Sequence, residues 1–575
     1  MPKDRRPLFI LPLAAFIAIS PLLLRGCSCG HDFDFHLINW FEAARQITHG
    51  TLLPRWAATP AWNAGEPRFV FYPPLSWLIG ALLGLLMPWT WTPIAYTWLA
   101  LTAAGFSLYY VARNCVPPNA ALIAAAVYLA NPYTLYTAYE RSAYAELFAA
   151  AWLPLALHAV LKRRVTIPAV ALPVALLWLT NAPAAVMGCY AMAAIVLIRL
   201  VLPKLHPLGS ASTSREKLSR SIGLQSSPIQ LALHSLFGVL LGLGLSSFYL
   251  LPAAYERRFV QIGFAILPGL RPWDNFLFEH TSDPEHDAVL HTASIVAVAL
   301  LALSAIVFLA LLFLRNRSKT QSLTEARPHH ETLTLLLLAI FIAGMLTPLS
   351  VPLWRYLPEL RFLQFPWRLL AVLAAIFGVS LSFALASLRI RFAVPISFLC
   401  VAILVVPSYR KFHQYCYPED TVPERLAIFQ SSNPGTDPTD EYTPTGADNS
   451  ALNQLNPGYW LADSATRTAP NPSKPGPAPH QLTLSPSAPT VLILNLRDYP
   501  AWHITRNGIL VTSRLHRQDG LIAVPLPAGL AHIRVQYAVL TDQRLGYLIT
   551  AISIFLLCAL FVRKPTPDPA KPFSR

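Results

Sequence analysis

Apolar runs separated by short basic or aromatic loops dominate the chain. The first run, Leu8 to Leu24, follows Lys3, Arg5 and Arg6. Others lie near 74–87, 92–111, 119–136, 146–161, 166–181, 184–202, 230–252, 290–314, 332–348, 367–387 and 391–407, and a last covers 546–562. A membrane-spanning helix needs about 20 apolar residues. Most runs therefore predict spans, and the shorter ones either borrow flanking residues or stop short of crossing. Near the C-terminus the period changes. Thr490 to Leu496 is rich in strand formers, and Trp502–Arg506 and Ile509–Thr512 flank Asn507-Gly508, a strong hairpin signal. Asp519-Gly520 offers a second turn before Leu521–Leu526 and His532–Tyr537. The expectation is a mainly α, polytopic membrane protein of about 12–13 helical segments. A small extracytoplasmic β-sandwich should precede its final transmembrane helix.

Boundaries follow from the same pattern. Residues 1–407 form a multi-span body whose first outer loop is 25–73. A Pro/Ser-rich linker covers 408–480, a β-rich domain 481–545, the last helix 546–562 and a tail 563–575. Basic clusters orient the body, because Lys and Arg concentrate in cytoplasmic loops. Lys162-Arg163-Arg164, the Arg215–Arg220 loop, Arg315/Arg317, Arg389/Arg391 and Arg563-Lys564 all read as cytoplasmic, as do both termini. Loops 137–145, 253–289 and 349–366 and the region 408–545 then fall outside. Termini on one side require an even number of crossings, whereas the runs number thirteen. The 74–87 run, short and bracketed by Pro73-Pro74 and Pro88, is the one expected to be re-entrant.

Composition sharpens this picture. Of 575 residues, 54% are hydrophobic and only 13% charged, too few to coat a water-facing surface, so lipid must cover much of the chain. The net charge of +15 does not imply nucleic acid, because the basic residues sit in loops between apolar runs, where acidic lipid headgroups account for the sign. Seven cysteines, several inside apolar runs, form no CxxC pair, and no His cluster has zinc spacing. Leu24-Arg25-Gly26-Cys27 faintly resembles a lipoprotein cleavage box, but Arg25 is unfavourable there and an uncleaved anchor is the better reading.

Candidate chemistry concentrates in the first outer loop, at Gly30-His31-Asp32-Phe33-Asp34-Phe35-His36, then Asn39-Trp40 and Glu42. Two carboxylates alternate with aromatics at the membrane surface. Such groups serve as general base, or hold a divalent cation (Mg or Mn) that neutralises phosphate. Taken alone, the stretch reads more simply as a polar juxtamembrane segment with an aromatic belt. Downstream come Leu53-Pro54-Arg55-Trp56, Gly65-Glu66-Pro67 and Phe71-Tyr72-Pro73-Pro74-Leu75.

That order of features resembles the GT-C superfamily of membrane glycosyltransferases, which use polyprenyl-phosphate sugars at the outer membrane face. There, an acidic residue of the first outer loop is catalytic. The resemblance carries this role to Asp34 first and Asp32 second, and His36 and Tyr72 to the substrate-binding surface. Tyr139-Glu140-Arg141-Ser142-Ala143-Tyr144-Ala145-Glu146, Leu251-Pro252-Ala253-Ala254-Tyr255-Glu256 and Arg361-Phe362-Leu363-Gln364-Phe365-Pro366-Trp367-Arg368 look like bacterial membrane proteins labelled 6-pyruvoyl-tetrahydropterin synthase-related. They also look like related proteins of envelope glycosylation, whose outer β domain is resembled at Tyr499-Pro500-Ala501-Trp502, Asn507-Gly508 and Pro527-Ala528-Gly529. The pterin label implies no pterin chemistry, since no zinc histidines are present. The sequence departs from the GT-C pattern in lacking a clear second acid in a later outer loop; Glu256 or Asp274 are loose matches.

The resemblance implies transfer of a sugar from a polyprenyl-phosphate donor to an envelope glycan or lipid acceptor. The setting would be a bacterial inner membrane, with termini cytoplasmic and the β domain outside. Arg141, Arg361, Arg368 and Gln364 would hold the donor phosphate. Against that, Arg141 could simply pair with Glu140 or Glu146. Arg361 and Arg368, two helical turns apart, share a face only if Pro366 leaves the helix unbroken, and otherwise snorkel. Trp502 reads as β-domain core rather than as a sugar platform. No cofactor is fixed by the sequence; a cation, if any, belongs to Asp32 and Asp34. A lipid-precursor flippase or a non-catalytic assembly scaffold remains open as an alternative class.

Overall fold

The computed structural model describes residues 4–205, 226–317, 329–470 and 474–562. The clusters expected at Arg215–Arg220 and Arg563-Lys564, and the tail 563–575, lie outside the described residues. Among those described, nine helices are long and apolar enough to cross a membrane. A tenth crossing results if His330–Met345 and Pro348–Tyr356, bent by 94°, are one broken span. The chain is thus a polytopic helical protein with a small antiparallel β region near its C-terminus.

Proline punctuates the helices. It stands at N1 or N2 of many of them, where its missing N–H costs nothing. The elements that matter for the site are α1 (Pro7–Arg25), α2 (Phe33–Thr48), α3 (Pro118–Leu129), α4 (Pro132–Tyr139) and α5 (Tyr144–Ala149). After them come α6 (Leu370–Ala386), α7 (Ala393–Phe412), α8 (Val422–Gln430) and α9 (Thr541–Val562). The apolar run at 119–136 is two helices, not one. Asn131 is extended before Pro132, and its side chain accepts hydrogen bonds from the N–H groups of Tyr133 and Thr134, starting α4 afresh. Pro74–Leu86, the suspected re-entrant segment, is an apolar helix of 13 residues, shorter than a span. Small residues let the helices close. A Cβ built on Gly238 or Gly242 would stand 2.5 Å or 2.7 Å from the Cβ of Val170 or Val174, so this GxxxG face admits only glycine.

Among the described residues, seven strands form two antiparallel sheets. The first is ordered β1 (Tyr459–Ala462), β3 (Thr490–Arg497), β6 (Leu521–Leu526); the second β2 (Gln481–Leu484), β7 (Ala531–Tyr537), β4 (Trp502–Arg506), β5 (Ile509–Leu510). Asn507 and Gly508, at φ 50° and 82°, make the β4–β5 turn that their sequence announced. Trp502 is buried edge-on against Trp56 and Tyr537, in the β core as expected. The stretch 408–480 is more than a linker, since α7 extends to Phe412 and α8 and β1 follow.

The β-sheets grip the first loop. Trp56 enters one apolar cluster with Leu494, Trp502 and Val535, and Ala61 and Ala64 enter another with Ile493 and Ala523. Loops expected outside do meet at one end of the bundle. Val260 pairs with Pro444, Gln364 donates to the Ala265 carbonyl, and Asp32 N–H donates to the Arg141 carbonyl at 2.9 Å. At the other end, Asn119 Nδ2 donates to the Ile390 carbonyl, in the loop that carries Arg389 and Arg391.

Candidate active site

The turn before α2 is locked to the turn before α5. Ser142, at φ 50°, donates to the Ser28 carbonyl and accepts from Gly30 N–H. A Cβ on Gly30 would meet the Glu140 carbonyl oxygen at 2.3 Å, so only glycine allows the approach. This places Asp32 at the N-cap of α2 and Asp34 in its first turn, where the helix dipole favours negative charge.

Beneath Asp32 lies a buried ionic cluster. Arg141 donates to Glu146 Oε2 at 2.6 Å, stands 3.5 Å from Asp32 Oδ2 and lies over the Trp367 ring. Arg368 approaches the same Glu146 oxygen at 4.0 Å, and Tyr133 donates its hydroxyl to the other. Arg368 also donates to the Leu363 carbonyl, but its Nε is buried without a hydrogen bond. Two guanidiniums therefore converge on one buried carboxylate, with Asp32 half-exposed above them.

Asp34 faces elsewhere. Its carboxylate pairs at 2.9 Å with Arg425 of α8, which also binds Asp420 at 2.8 Å. Burial raises the Asp34 pKa above the usual carboxylate value, against the opposing pull of Arg425. His36 is buried between Tyr72 and Tyr144, and burial lowers its pKa to about 4, so the imidazole is neutral. Tyr72 packs edge-on against Phe35. Behind them Arg68, buried, binds Glu66 at 2.6 Å, Asn39 at 3.0 Å and Thr439 at 2.8 Å, with its guanidinium over Phe35.

Five of the eight residues singled out from sequence thus share one neighbourhood: Asp32, Arg141 and Arg368 directly, and His36 and Tyr72 alongside. Asp34 adjoins it through the same helix turn. Arg361 and Gln364 do not join. The 360–369 segment is two short 3₁₀ turns broken at Gln364, whose φ is 61°, so Arg361 and Arg368 share no helical face. Arg361 is exposed over Phe362, and Gln364 binds the loop at Ala265. Neither loosely matched acid reaches the cluster. Glu256 is buried between Tyr499 and Gln543, and Asp274 accepts from Gly269 N–H.

Arg425, Asp420, Tyr133 and Arg68 escaped sequence reasoning. A signal existed for Arg68, since Glu66-Pro67-Arg68 puts two charges inside an aromatic stretch. Arg425 sat in a segment read as linker. The structure also pairs Cys29 with Cys416 in a disulfide, tying the first loop to the chain entering α8.

A divalent cation does not fit Asp32 and Asp34 as they stand, because each carboxylate already faces a guanidinium. Among the described residues, the side chains grouped closely enough to hold an ion are Cys27, Cys29 and Cys416. The disulfide removes two of those three as thiolate ligands.

No family model matches the chain, so the resemblance to the 6-pyruvoyl-tetrahydropterin synthase-related proteins rests on its motifs. No curated protein matches either. Among solved structures, the mycobacterial arabinofuranosyltransferase AftD superposes with a TM-score of 0.40 at 16% identity, over 71% of this chain and 27% of that one. A mutant form of AftD gives 0.43 at 14% identity, over 94% and 42%. The oligosaccharyltransferase of Archaeoglobus fulgidus, solved with Zn and sulfate, gives 0.38 at 16% identity, over 71% and 54%. The chain therefore spans at most 54% of the length of these neighbours.

Proposed function

We propose that this protein is a membrane glycosyltransferase of GT-C type. It would move a sugar from a polyprenyl-phosphate donor to a hydroxyl of a cell-envelope glycan or lipid, at the face of the bundle that carries the β-sheets. One observation supports this reading above all: at the start of α2, Asp32 stands beside the buried Arg141, which shares Glu146 with Arg368, while Asp34 in the first turn pairs with Arg425. Acid–base and anion-binding groups in one neighbourhood are what transfer from a phosphate ester requires.

The acceptor oxygen attacks the anomeric carbon and its proton passes to Asp34. The new glycosidic C–O bond forms as the bond from the anomeric carbon to the phosphate oxygen breaks, and the electron pair leaves on phosphate. Arg141 and Arg368 stabilise that charge electrostatically. Asp34 must part from Arg425 to act, and its raised pKa makes it the stronger base once it does. Neutral His36 and Tyr72 pack against one another beside the aspartate-bearing turn of α2 and would bound the substrate there. In this scheme the β-sheets, clamped on the first loop through Trp56 and Ala64, hold α2 in place and guide the acceptor.

The test is lipid and envelope-glycan mass spectrometry on a strain lacking the protein. The strain is complemented with wild type or with Asp34→Asn at matched expression. The expected result is that wild type restores a missing sugar while Asp34→Asn leaves donor and unmodified acceptor accumulated. Equal restoration by both removes Asp34 from the chemistry and refutes the scheme.

A further inference from the structure

The end of the bundle away from the β-sheets carries a site that the proposed transfer does not use. α1 is 19 residues long and separates the two ends by about 28 Å. There, a cavity of ≈ 390 Å³ is walled by Arg6, Asn119, Leu388, Arg389 and Arg391, together with the Pro117–Ala120 stretch that opens α3. Three of its wall residues are arginines, and among the described residues no carboxylate lines it. Among the described residues, Asp4 offsets that charge locally, binding Arg6 through two contacts of 3.0 Å. Arg389 and Arg391 have no carboxylate partner among the described residues.

The loop is held, not loose. Asn119 Nδ2 donates to the Ile390 carbonyl at 2.8 Å, while its own Oδ1 is buried and unpartnered. Pro117 caps α3 and Pro118 is its first residue; neither has an N–H, so the first free backbone donors of that helix belong to Asn119 and Ala120, both of which line the cavity. Apolar side chains rim the basic wall. Leu388 is 55% and Phe392 71% exposed on the same loop, and Leu8 and Phe9 are exposed on α1 next to Arg6. A cationic pocket at a membrane edge with an apolar rim matches a phosphodiester whose acyl chains run along the bundle.

We propose that this cavity binds the headgroup of an anionic phospholipid, with Arg389 and Arg391 on its phosphate and Leu388 and Phe392 against its chains. A free phosphate would use the same cations but not the apolar rim. A zwitterionic lipid would bring its ammonium into a wall with no carboxylate to receive it.

The test is native mass spectrometry of the full chain in detergent, titrated with dioleoylphosphatidylglycerol, dioleoylphosphatidylcholine or inorganic phosphate. Wild type should hold phosphatidylglycerol in preference to phosphatidylcholine. Arg389→Gln with Arg391→Gln, both at exposed positions, should weaken the phosphatidylglycerol adduct about thirtyfold and leave phosphatidylcholine unchanged. Leu388→Ser with Phe392→Ser should weaken it with every charge kept. Arg410→Gln with Lys411→Gln, near the opposite end, should have no effect. Equal binding of the two lipids to wild type, or undiminished phosphatidylglycerol binding by the arginine variant, overturns the proposal. Displacement of the lipid by excess inorganic phosphate, with the Leu388/Phe392 variant unaffected, assigns the cavity to a free phosphate and overturns the lipid assignment.

Discussion

Glu256 joins the membrane body to the β-sheets and makes their junction sensitive to pH. Its side chain is fully buried; it accepts from Tyr499 at 2.6 Å and from Gln543, at the start of α9, at 2.8 Å. Asp542 stands beside it, and Tyr537, which Arg55 also reaches, feels its charge. Burial pushes the Glu256 pKa up to about 7, more than its two hydrogen bonds pull it down. The folded protein therefore holds a proton that the unfolded chain releases near pH 4.5. This group's contribution is most favourable below the unfolded pKa. It is lost as pH rises toward the folded pKa, after which it levels off. A displacement from 4.5 to about 7 corresponds to on the order of 3 kcal/mol. Glu256→Gln keeps the shape and removes the ionisation. Thermal unfolding in detergent, followed by intrinsic fluorescence from pH 5 to pH 8, should show the variant close to wild type at the acidic end. Wild type should fall below it progressively toward pH 8. A gap between the two that stays constant across this range would refute the reasoning, because the carboxyl would then be titrating as it does in water.

Other expectations concern the locked loop and its ionic floor. Gly30→Ala should lower both the thermal midpoint and the expressed folded yield, since its methyl meets the Glu140 carbonyl with no side chain to move aside; a midpoint equal to wild type would contradict this. Glu146→Gln should cost about 3–5 kcal/mol, read as loss of folded protein by size exclusion, because it takes the shared carboxylate from two buried guanidiniums, leaving Arg141 with Asp32 alone and Arg368 with none among the described residues. Cys29→Ser should destabilise by about 2–4 kcal/mol, by releasing a tether that spans 387 residues of sequence. Peptide mapping without reductant should find the Cys29–Cys416 pair with Cys27 free.

The membrane body was legible in the sequence because the transfer of apolar residues into lipid is a local, additive property. Leu8–Leu24 became α1 for that reason alone. Pro132 cut a run that apolarity joined, and proline at helix starts set other boundaries, again by local rules. Asn507-Gly508 specified its own turn, since the two φ values it needs come from those two residues. The acidic α2 turn and the Arg141/Glu146 pair, five residues apart, were equally readable, though not which of Arg141's alternatives would hold.

Contacts between distant segments were decided by the tertiary structure alone. Asp34 meets Arg425 across 391 positions, Cys29 meets Cys416 across 387, and Arg368 meets Glu146 across 222. Nothing in the composition near Arg425 reports that α8 will fold back over α2. Arg361 shows the converse. Its spacing from Arg368 suggested a shared helical face, and one residue at positive φ, Gln364, turned it outward. Lipid solvation is the sum of single-residue terms and is written along the chain. The partners of a buried charge depend on where every other segment packs, and no local stretch carries that information.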